Sequence, residues 1–188
     1  MPHFLFLPRS EWGYKGEDPE QDEKPDPEHK ANFALTGALA KDTETGNMYR
    51  GIVLKFSEPA DARDPTKRWR FYVFKGGDLK DTLHVHRQSA YLVGREKKIA
   101  DILVEHPSCS KQHAVIQFRL KERPNATGVG VSREVRPYVM DLESTNGTRL
   151  NGEKLEPSRY VELMEKDTLK FGDSTREYVL LHAESQDD

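Results

Sequence analysis

The sequence has one cysteine, no long apolar run and almost no net charge. Cys109 cannot form an internal disulfide, which excludes the disulfide framework of a small secreted domain and favours a reducing compartment. The formal charge is −3 over 188 residues, without the basic bias typical of DNA-binding domains, so we expect no direct sequence-specific nucleic-acid binding. The opening stretch MPHFLFLPRS has only a few apolar residues before Pro8, which predicts neither a secretory signal nor a membrane partner.

The composition changes along the chain and indicates three parts. Residues 11–30 carry eight acidic side chains, three basic ones and three prolines. Such a segment buries too little apolar area to offset the entropy of ordering the chain. We therefore predict an acidic, proline-rich, disordered tail over residues 1–31, an extended lead-in segment with a first strand over 32–68, and a folded domain over 69–188.

From Gly51 onward the pattern is typical of short β-strands separated by turn residues. The strand candidates are GIVLKF, WRFYVF, AYLV, HAVIQFRL, PYVMDL, TLKF and YVLL. In HAVIQFRL the apolar residues alternate with Gln117 and Arg119, as a half-buried antiparallel strand requires. Residues 121–134 are interpreted as a long surface hairpin or loop, and Asn151-Gly152 predicts a tight hairpin turn. The fold class that follows is all-β, an antiparallel β-sandwich with its loops gathered at the two ends.

The stretch HPSCSKQH, residues 106–113, allows three kinds of site. His84, His86 and the two histidines of this stretch could join Cys109 in a zinc site, although their spacing matches no zinc signature. Cys109 could be a thiol nucleophile beside a histidine base, although a cysteine between two serines is more often a small buried residue. Finally, the serines and lysine of this stretch could bind an anion ahead of a strand.

Three fragments, in order, resemble the forkhead-associated family: YLVGRE (91–96), HPSCSKQHAVI (106–116) and DLESTNGTRLNG (141–152). EKDTLKFG, residues 165–172, is similar to a late strand of that family. The resemblance implies a forkhead-associated β-sandwich over 69–188 that binds a phosphothreonine-containing protein, without catalysis, cofactor or metal.

The resemblance also implies roles for individual residues. By motif position, Arg95 and Ser110 bind the phosphate, Thr145 and Asn146 hold the phosphate side and the peptide backbone, and Lys111 lies beside them. A guanidinium can give a phosphate two parallel hydrogen bonds and a serine hydroxyl a third, while an asparagine can both donate to and accept from an extended peptide.

Three further positions match residues that support the site in the family. His113 matches a histidine that braces the loops, and an imidazole hydrogen-bonded to a loop carbonyl fits that role. Gly94 and Gly147 match turn glycines. These three residues are expected to shape the site rather than contact the ligand.

A longer stretch, from Ala31 to Ser185, is similar to the Smad nuclear-interacting protein and pre-mRNA leakage protein subfamily. That resemblance implies a nuclear scaffold in pre-mRNA splicing and in nuclear retention of unspliced pre-mRNA. The implied partners are the spliceosome and an RNA-recognition-motif subunit of the retention and splicing complex. An alternative is a constitutive ribonucleoprotein subunit that docks through its N-terminal segment, with Trp12 and Tyr14 as anchors and the phosphate loops unused.

Overall fold

A computed structural model describes residues 48–124 and 130–182, and these residues form β-strands joined by loops. The predicted tail, with Trp12 and Tyr14, lies outside the described residues. No helix occurs in the described ranges, and so none there is long and apolar enough to cross a membrane. The strands in chain order are β1 Met48–Tyr49, β2 Ile52–Val53, β3 Trp69–Lys75, β4 Asp78–His84, β5 Ala90–Gly94, β6 Ile102–Leu103, β7 Ala114–Pro124, β8 Val131–Asp141, β9 Thr148–Leu150, β10 Glu153–Lys154, β11 Val161–Glu162, β12 Thr168–Phe171 and β13 Arg176–His182.

The strands form two main sheets and a small hairpin. One sheet has the order β10-β9-β12-β13-β3-β4, the other has the order β11-β8-β7-β5-β6, and β1 pairs with β2. All pairs are antiparallel except β5 and β6, which are parallel. The predicted β-sandwich is confirmed, with this parallel edge as the one departure in the described residues.

The main core lies between the two sheets and follows the alternation of the strands. In β3 the inward residues Trp69, Phe71 and Val73 are at most 3% exposed, while Arg70 and Tyr72 between them are only partly buried. Facing residues of the other sheet, such as Ile116 and Phe118 of β7, are fully buried in the same cluster. Period-two alternation with one face inward is what a sandwich of antiparallel sheets requires.

The outer face of the five-stranded sheet carries a second apolar cluster. Leu54 and Phe56, which follow β2, pack there with Leu92 of β5 and Val115 of β7. As a result β5 is buried on both faces, and β7 is buried from Ala114 to Phe118 instead of being half-exposed as its alternation suggested. The GIVLKF segment forms ladder hydrogen bonds only at Ile52–Val53, and its remaining apolar residues cover the sheet face.

Two turn predictions are resolved by the strand register. Asn151 and Gly152 have φ values of 51° and 89° and join β9 to β10 through the pair Leu150 and Glu153, so the predicted hairpin turn is confirmed. Residues 121–134 belong to a long hairpin, because β7 and β8 stay paired out to Pro124 and Val131.

Candidate functional site

Three loops meet at one end of the sandwich because of the sheet register. Strand β5 ends at Gly94, β7 begins at Ala114 and β8 ends at Asp141, and these ends are neighbours in the sheet, with Val93 opposite Ala114 and Ala114 opposite Asp141. The loops that leave these strand ends therefore lie together. They contain the eight positions matched to the forkhead-associated motifs: Gly94, Arg95, Ser110, Lys111, His113, Thr145, Asn146 and Gly147.

Ser110 is the point where the three loops are joined. Its carbonyl oxygen accepts from the backbone N–H of Arg95 at 3.0 Å, and its Oγ accepts from the backbone N–H of Thr145 at 3.2 Å. A serine hydroxyl has one proton and two acceptor sites, so accepting from Thr145 leaves the Ser110 proton able to donate to a ligand. The structure thus brings a hydroxyl donor between the other two loops.

Arg95 and Lys111 are two of the cationic residues at this end. Both side chains are exposed. Neither the guanidinium nor the ammonium has a hydrogen bond or ion pair with any residue of the described ranges; the hydrogen bonds of these two residues are made by their backbones. Two cations without anionic partners in the described ranges, on loops joined at Ser110, form an electrostatic environment suited to an anion.

Gly94 permits the close approach that positions Arg95. A Cβ on Gly94 would lie 2.1 Å from the carbonyl oxygen of Lys111, so only glycine fits there. Beside it the backbone N–H of Glu96 donates to that same oxygen at 3.2 Å. The chain around Gly94 and Arg95 is therefore held directly against the 106–113 loop.

His113 joins two of the loops from inside the protein. Its side chain is fully buried, Nδ1 accepts from the backbone N–H of Ser110 at 3.1 Å, and Nε2 donates to the carbonyl oxygen of Gly147 at 3.2 Å. A backbone N–H can only donate, which assigns the neutral ring its proton on Nε2. Burial lowers the pKa of His113, an effect opposed by the nearby carboxylate of Asp141 and the bond to Gly147. The ring is thus a neutral connector between loops.

Asn146 and Gly147 shape the third loop. The Asn146 side-chain amide donates to the carbonyl oxygen of Ser108 at 2.7 Å, so one of its N–H groups joins two loops while its oxygen has no partner in the described part of the chain. Gly147 has a φ of 79°, a left-handed conformation that favours glycine, and its carbonyl oxygen also accepts from Gly172 at 2.9 Å.

Asp141 is a supporting residue that the sequence reasoning did not single out. Its buried carboxylate accepts from the backbone N–H of Ser144 at 2.8 Å, from the Ser144 hydroxyl at 2.7 Å and from the Thr148 hydroxyl at 2.6 Å. These bonds fold residues 142–147 into a compact turn that presents Thr145. The available signal was an aspartate three residues ahead of a serine, a spacing typical of side-chain-stabilised turns.

The alternatives for the HPSCSKQH stretch lack the required geometry. Cys109 is 2% exposed, its Sγ donates to the carbonyl oxygen of Phe171 at 3.3 Å, and burial raises the pKa of its thiol. A thiol in that state is a poor nucleophile. Both ring nitrogens of His113 are engaged, and His84 contacts His86 ring edge to face 5.6 Å away. Among the described residues no three metal-binding side chains gather.

Comparison with known proteins identifies the family. A model of the FHA domain matches residues 91–172. The solved structure of the yeast Pml1 splicing factor is 31% identical, with a TM-score of 0.57, and the match covers 69% of this chain and 98% of that one. The chain belongs to the FHA-domain family.

Two curated relatives of this FHA-domain chain are longer than it is. The chain is 58% identical over 156 residues to mouse Smad nuclear-interacting protein 1, covering 83% of this chain and 40% of that protein. It is 57% identical over 155 residues to the Arabidopsis thaliana FHA domain-containing protein DDL, covering 82% of this chain and 48% of that protein. The chain therefore spans less than half of these relatives. The predicted subfamily resemblance is confirmed, and FHA domains are binding modules of the phosphopeptide-binding kind.

Proposed function

We propose that this FHA domain binds a phosphothreonine-containing protein through Arg95, Ser110, Lys111, Thr145 and Asn146, without catalysis. We further propose that it acts as a nuclear scaffold in pre-mRNA splicing and in the retention of unspliced pre-mRNA. The observation that carries the first proposal is the arrangement around Ser110. An unpaired guanidinium, an unpaired ammonium and a free hydroxyl proton lie on loops held together by backbone hydrogen bonds.

The chemistry of this arrangement matches a phosphate monoester. At neutral pH a phosphothreonine carries close to two negative charges and three acceptor oxygens. The planar guanidinium of Arg95 can give two parallel hydrogen bonds and the Ser110 hydroxyl a third, while Lys111 adds a point charge. Because Ser110 and Thr145 are already tied together, little loop ordering is required on binding.

The proposed role of Asn146 is to hold the peptide backbone beside the phosphate. One of its amide N–H groups is used on Ser108, which leaves the side-chain oxygen to accept from a peptide N–H. The bond to Ser108 also fixes the orientation of the amide. A ligand docked in this way needs no folded structure of its own.

The splicing and nuclear part of the proposal rests on relatives. The structure of yeast Pml1 is described together with that splicing factor's integration into the RES complex. By analogy, the proposed partners of this chain are the spliceosome and an RNA-recognition-motif subunit of that complex. In the alternative proposal, a constitutive ribonucleoprotein subunit docked through Trp12 and Tyr14, those residues lie outside the described structure.

Calorimetry with matched phosphothreonine and threonine peptides tests the phosphate site. Arg95→Ala should cost on the order of 2–5 kcal/mol of binding free energy, as expected when one partner of a hydrogen-bonded charge pair is truncated. Arg95→Lys should recover only part of this, since one ammonium cannot replace the paired geometry. Arg133→Ala is the matched control, because Arg133 is an exposed arginine near the far end of the β7–β8 hairpin. Equal affinity for both peptides, or an Arg95→Ala protein that binds like the parent, would refute phosphate recognition.

Capture from nuclear extract, with and without phosphatase, separates the two partner models. If the phosphate site recruits the splicing machinery, phosphatase and Arg95→Ala should each remove captured spliceosomal proteins. If docking is constitutive, capture of the RNA-recognition-motif subunit should survive both treatments and be lost with Trp12→Ala and Tyr14→Ala.

A further inference from the structure

Gln112 connects the 106–113 loop to a distant part of the chain. It lies between Lys111 and His113, and its side chain is 7% exposed. Its Nε2 donates to the carbonyl oxygen of Val53 at 2.9 Å, and its Oε1 accepts from the backbone N–H of Lys55 at 2.9 Å. One amide group thus satisfies an acceptor at the end of β2 and a donor just after it.

The same segment contacts the other loop of the site. The ammonium of Lys55 donates to the carbonyl oxygen of Leu142 at 3.3 Å, at the start of the 142–147 turn. Leu54 and Phe56 are buried in one cluster with Leu92 and Leu142, the residues that lead into Gly94 and into that turn. Residues 52–56 therefore contact both the 106–113 loop and the 142–147 turn, which we call the phosphate-binding loops. These residues lie outside the stretch matched by the FHA model.

We infer that residues 52–56 position the phosphate-binding loops, and that Gln112 is the positioning residue that transmits this restraint. The inference rests on the proposed function, and it adds a segment outside the FHA match to the machinery of that site. Removing the Gln112 amide strands a backbone N–H and a carbonyl of the segment. It also removes one restraint on the backbone next to Ser110 and Lys111, so the loop that carries these two residues is held less firmly.

Two buried glutamines provide a matched comparison. Gln117 is also buried, and its amide N–H groups donate to the carbonyl oxygens of Ser89 at 3.0 Å and Phe118 at 3.1 Å. It lies on β7, away from the phosphate loops. Gln112→Met and Gln117→Met each remove two side-chain hydrogen bonds of a buried amide, one in the 106–113 loop and the other on β7. The comparison therefore separates a local effect on the loop from a general loss of stability.

Phosphothreonine-peptide affinity is the first readout, measured by calorimetry below the melting temperature of each variant. Gln112→Met should weaken binding about tenfold, as expected when two hydrogen bonds that preorganise the loops are lost. Gln112→Asn, which keeps the amide but shortens its reach, should show a smaller loss. Gln117→Met should bind the peptide with a Kd within about twofold of the parent's, a smaller change than the loss of one hydrogen bond typically causes. Equal affinities for Gln112→Met and Gln117→Met would overturn the inference.

Amide hydrogen exchange in the unliganded protein keeps the inference separate from the proposed function. The N–H groups of Ser110 and Thr145, which bond to His113 and Ser110, should exchange about tenfold faster in Gln112→Met than in Gln117→Met. Unchanged exchange would overturn the positioning role. If the parent fails to distinguish phosphorylated from unmodified peptide, the proposed function is wrong, and the exchange rates alone decide whether residues 52–56 hold the loops.

Discussion

Gly94→Ala places a methyl group against the backbone of the 106–113 loop. The new Cβ would lie 2.1 Å from the carbonyl oxygen of Lys111 and 2.9 Å from its carbonyl carbon. Ordinary contact begins near 3.4 Å, so the backbone at Gly94 and the backbone at Lys111 must separate by about 1.3 Å. Neither neighbour is the end of a flexible side chain that could swing away. The backbone itself has to move.

That separation breaks the hydrogen bonds on either side of the contact. Arg95 N–H to Ser110 O is 3.0 Å and Glu96 N–H to Lys111 O is 3.2 Å, and lengthening by more than 1 Å takes both beyond bonding distance. The loss of two hydrogen bonds and the strain of overpacking together lower the free energy of unfolding by about 4 kcal/mol. For a domain of this size that corresponds to a fall in Tm of roughly 8–16 °C. Affinity for a phosphothreonine peptide should fall as well, because Arg95 moves away from Ser110.

Thermal unfolding and calorimetry on Gly94→Ala check this reasoning, with Gly77→Ala as the control. Gly77 has a φ of 88° and open space around a Cβ, so its substitution tests backbone strain without a clash. Gly77→Ala should lower the free energy of unfolding by only about 1–2 kcal/mol and leave the affinity for the phosphothreonine peptide unchanged. A shift of about 2 °C in Tm corresponds to less than about 1 kcal/mol of unfolding free energy. If Gly94→Ala melts within about 2 °C of the parent and binds the peptide with the parent's affinity, the close approach does not position the site.

Three further predictions concern the residues that support the loops. Because burial lowers the pKa of His113, the unfolded chain binds a proton at this position more readily than the folded protein does. The free energy of unfolding should therefore fall as pH drops below about 6.5. His113→Gln should flatten this dependence when Tm is measured across pH. A parallel slope in both proteins would contradict this. Asp141→Asn should lower the free energy of unfolding in urea by about 2–3 kcal/mol, because an amide N–H then faces hydroxyl and backbone donors. A change near zero would be inconsistent with the three hydrogen bonds that the Asp141 carboxylate accepts. Gly152→Val should cost about 1–2 kcal/mol in the same assay, owing to its φ of 89°, and an unchanged midpoint would show that the turn can adopt another form.

The fold was predictable because its local signals agree with one another. Short runs of β-branched and aromatic residues predicted strands where β3, β5, β7, β8, β12 and β13 lie, but not β4. Asn151-Gly152 predicted a turn whose two positive φ values the structure contains. The resemblance to the forkhead-associated family implied that Gly94, Ser110 and Thr145 belong to one site, and the register of β5, β7 and β8 brings their loops together. These features depend on period and sequence spacing, which a single chain displays directly.

What could not be predicted depends on contacts between distant segments. The alternation of β7 indicated a half-exposed strand, since nothing in that strand shows that Leu54 and Phe56 cover its outer face. Likewise, motif position suggested that Asn146 holds the peptide, but the direction of its amide toward Ser108 follows from how two loops pack. Side-chain direction and outer-face burial are tertiary properties, and sequence period carries no information on them.

The position of β13 has a consequence for how the chain reaches its fold during synthesis. β13 lies between β12 and β3 in the middle of the six-stranded sheet, and it pairs along its whole length with β3, about a hundred residues earlier. Until His182 has left the ribosome, β3 lacks its β13 neighbour, so a β3–β4 hairpin would have both edges open and the inward face of Trp69 and Phe71 would have no complete sheet around it. At a synthesis rate of about 5–20 residues per second, the roughly one hundred residues between β3 and β13 take roughly 5–20 s to add. Nascent chains released at Phe171 should therefore remain protease-sensitive and bind chaperones, while chains released at His182 become resistant.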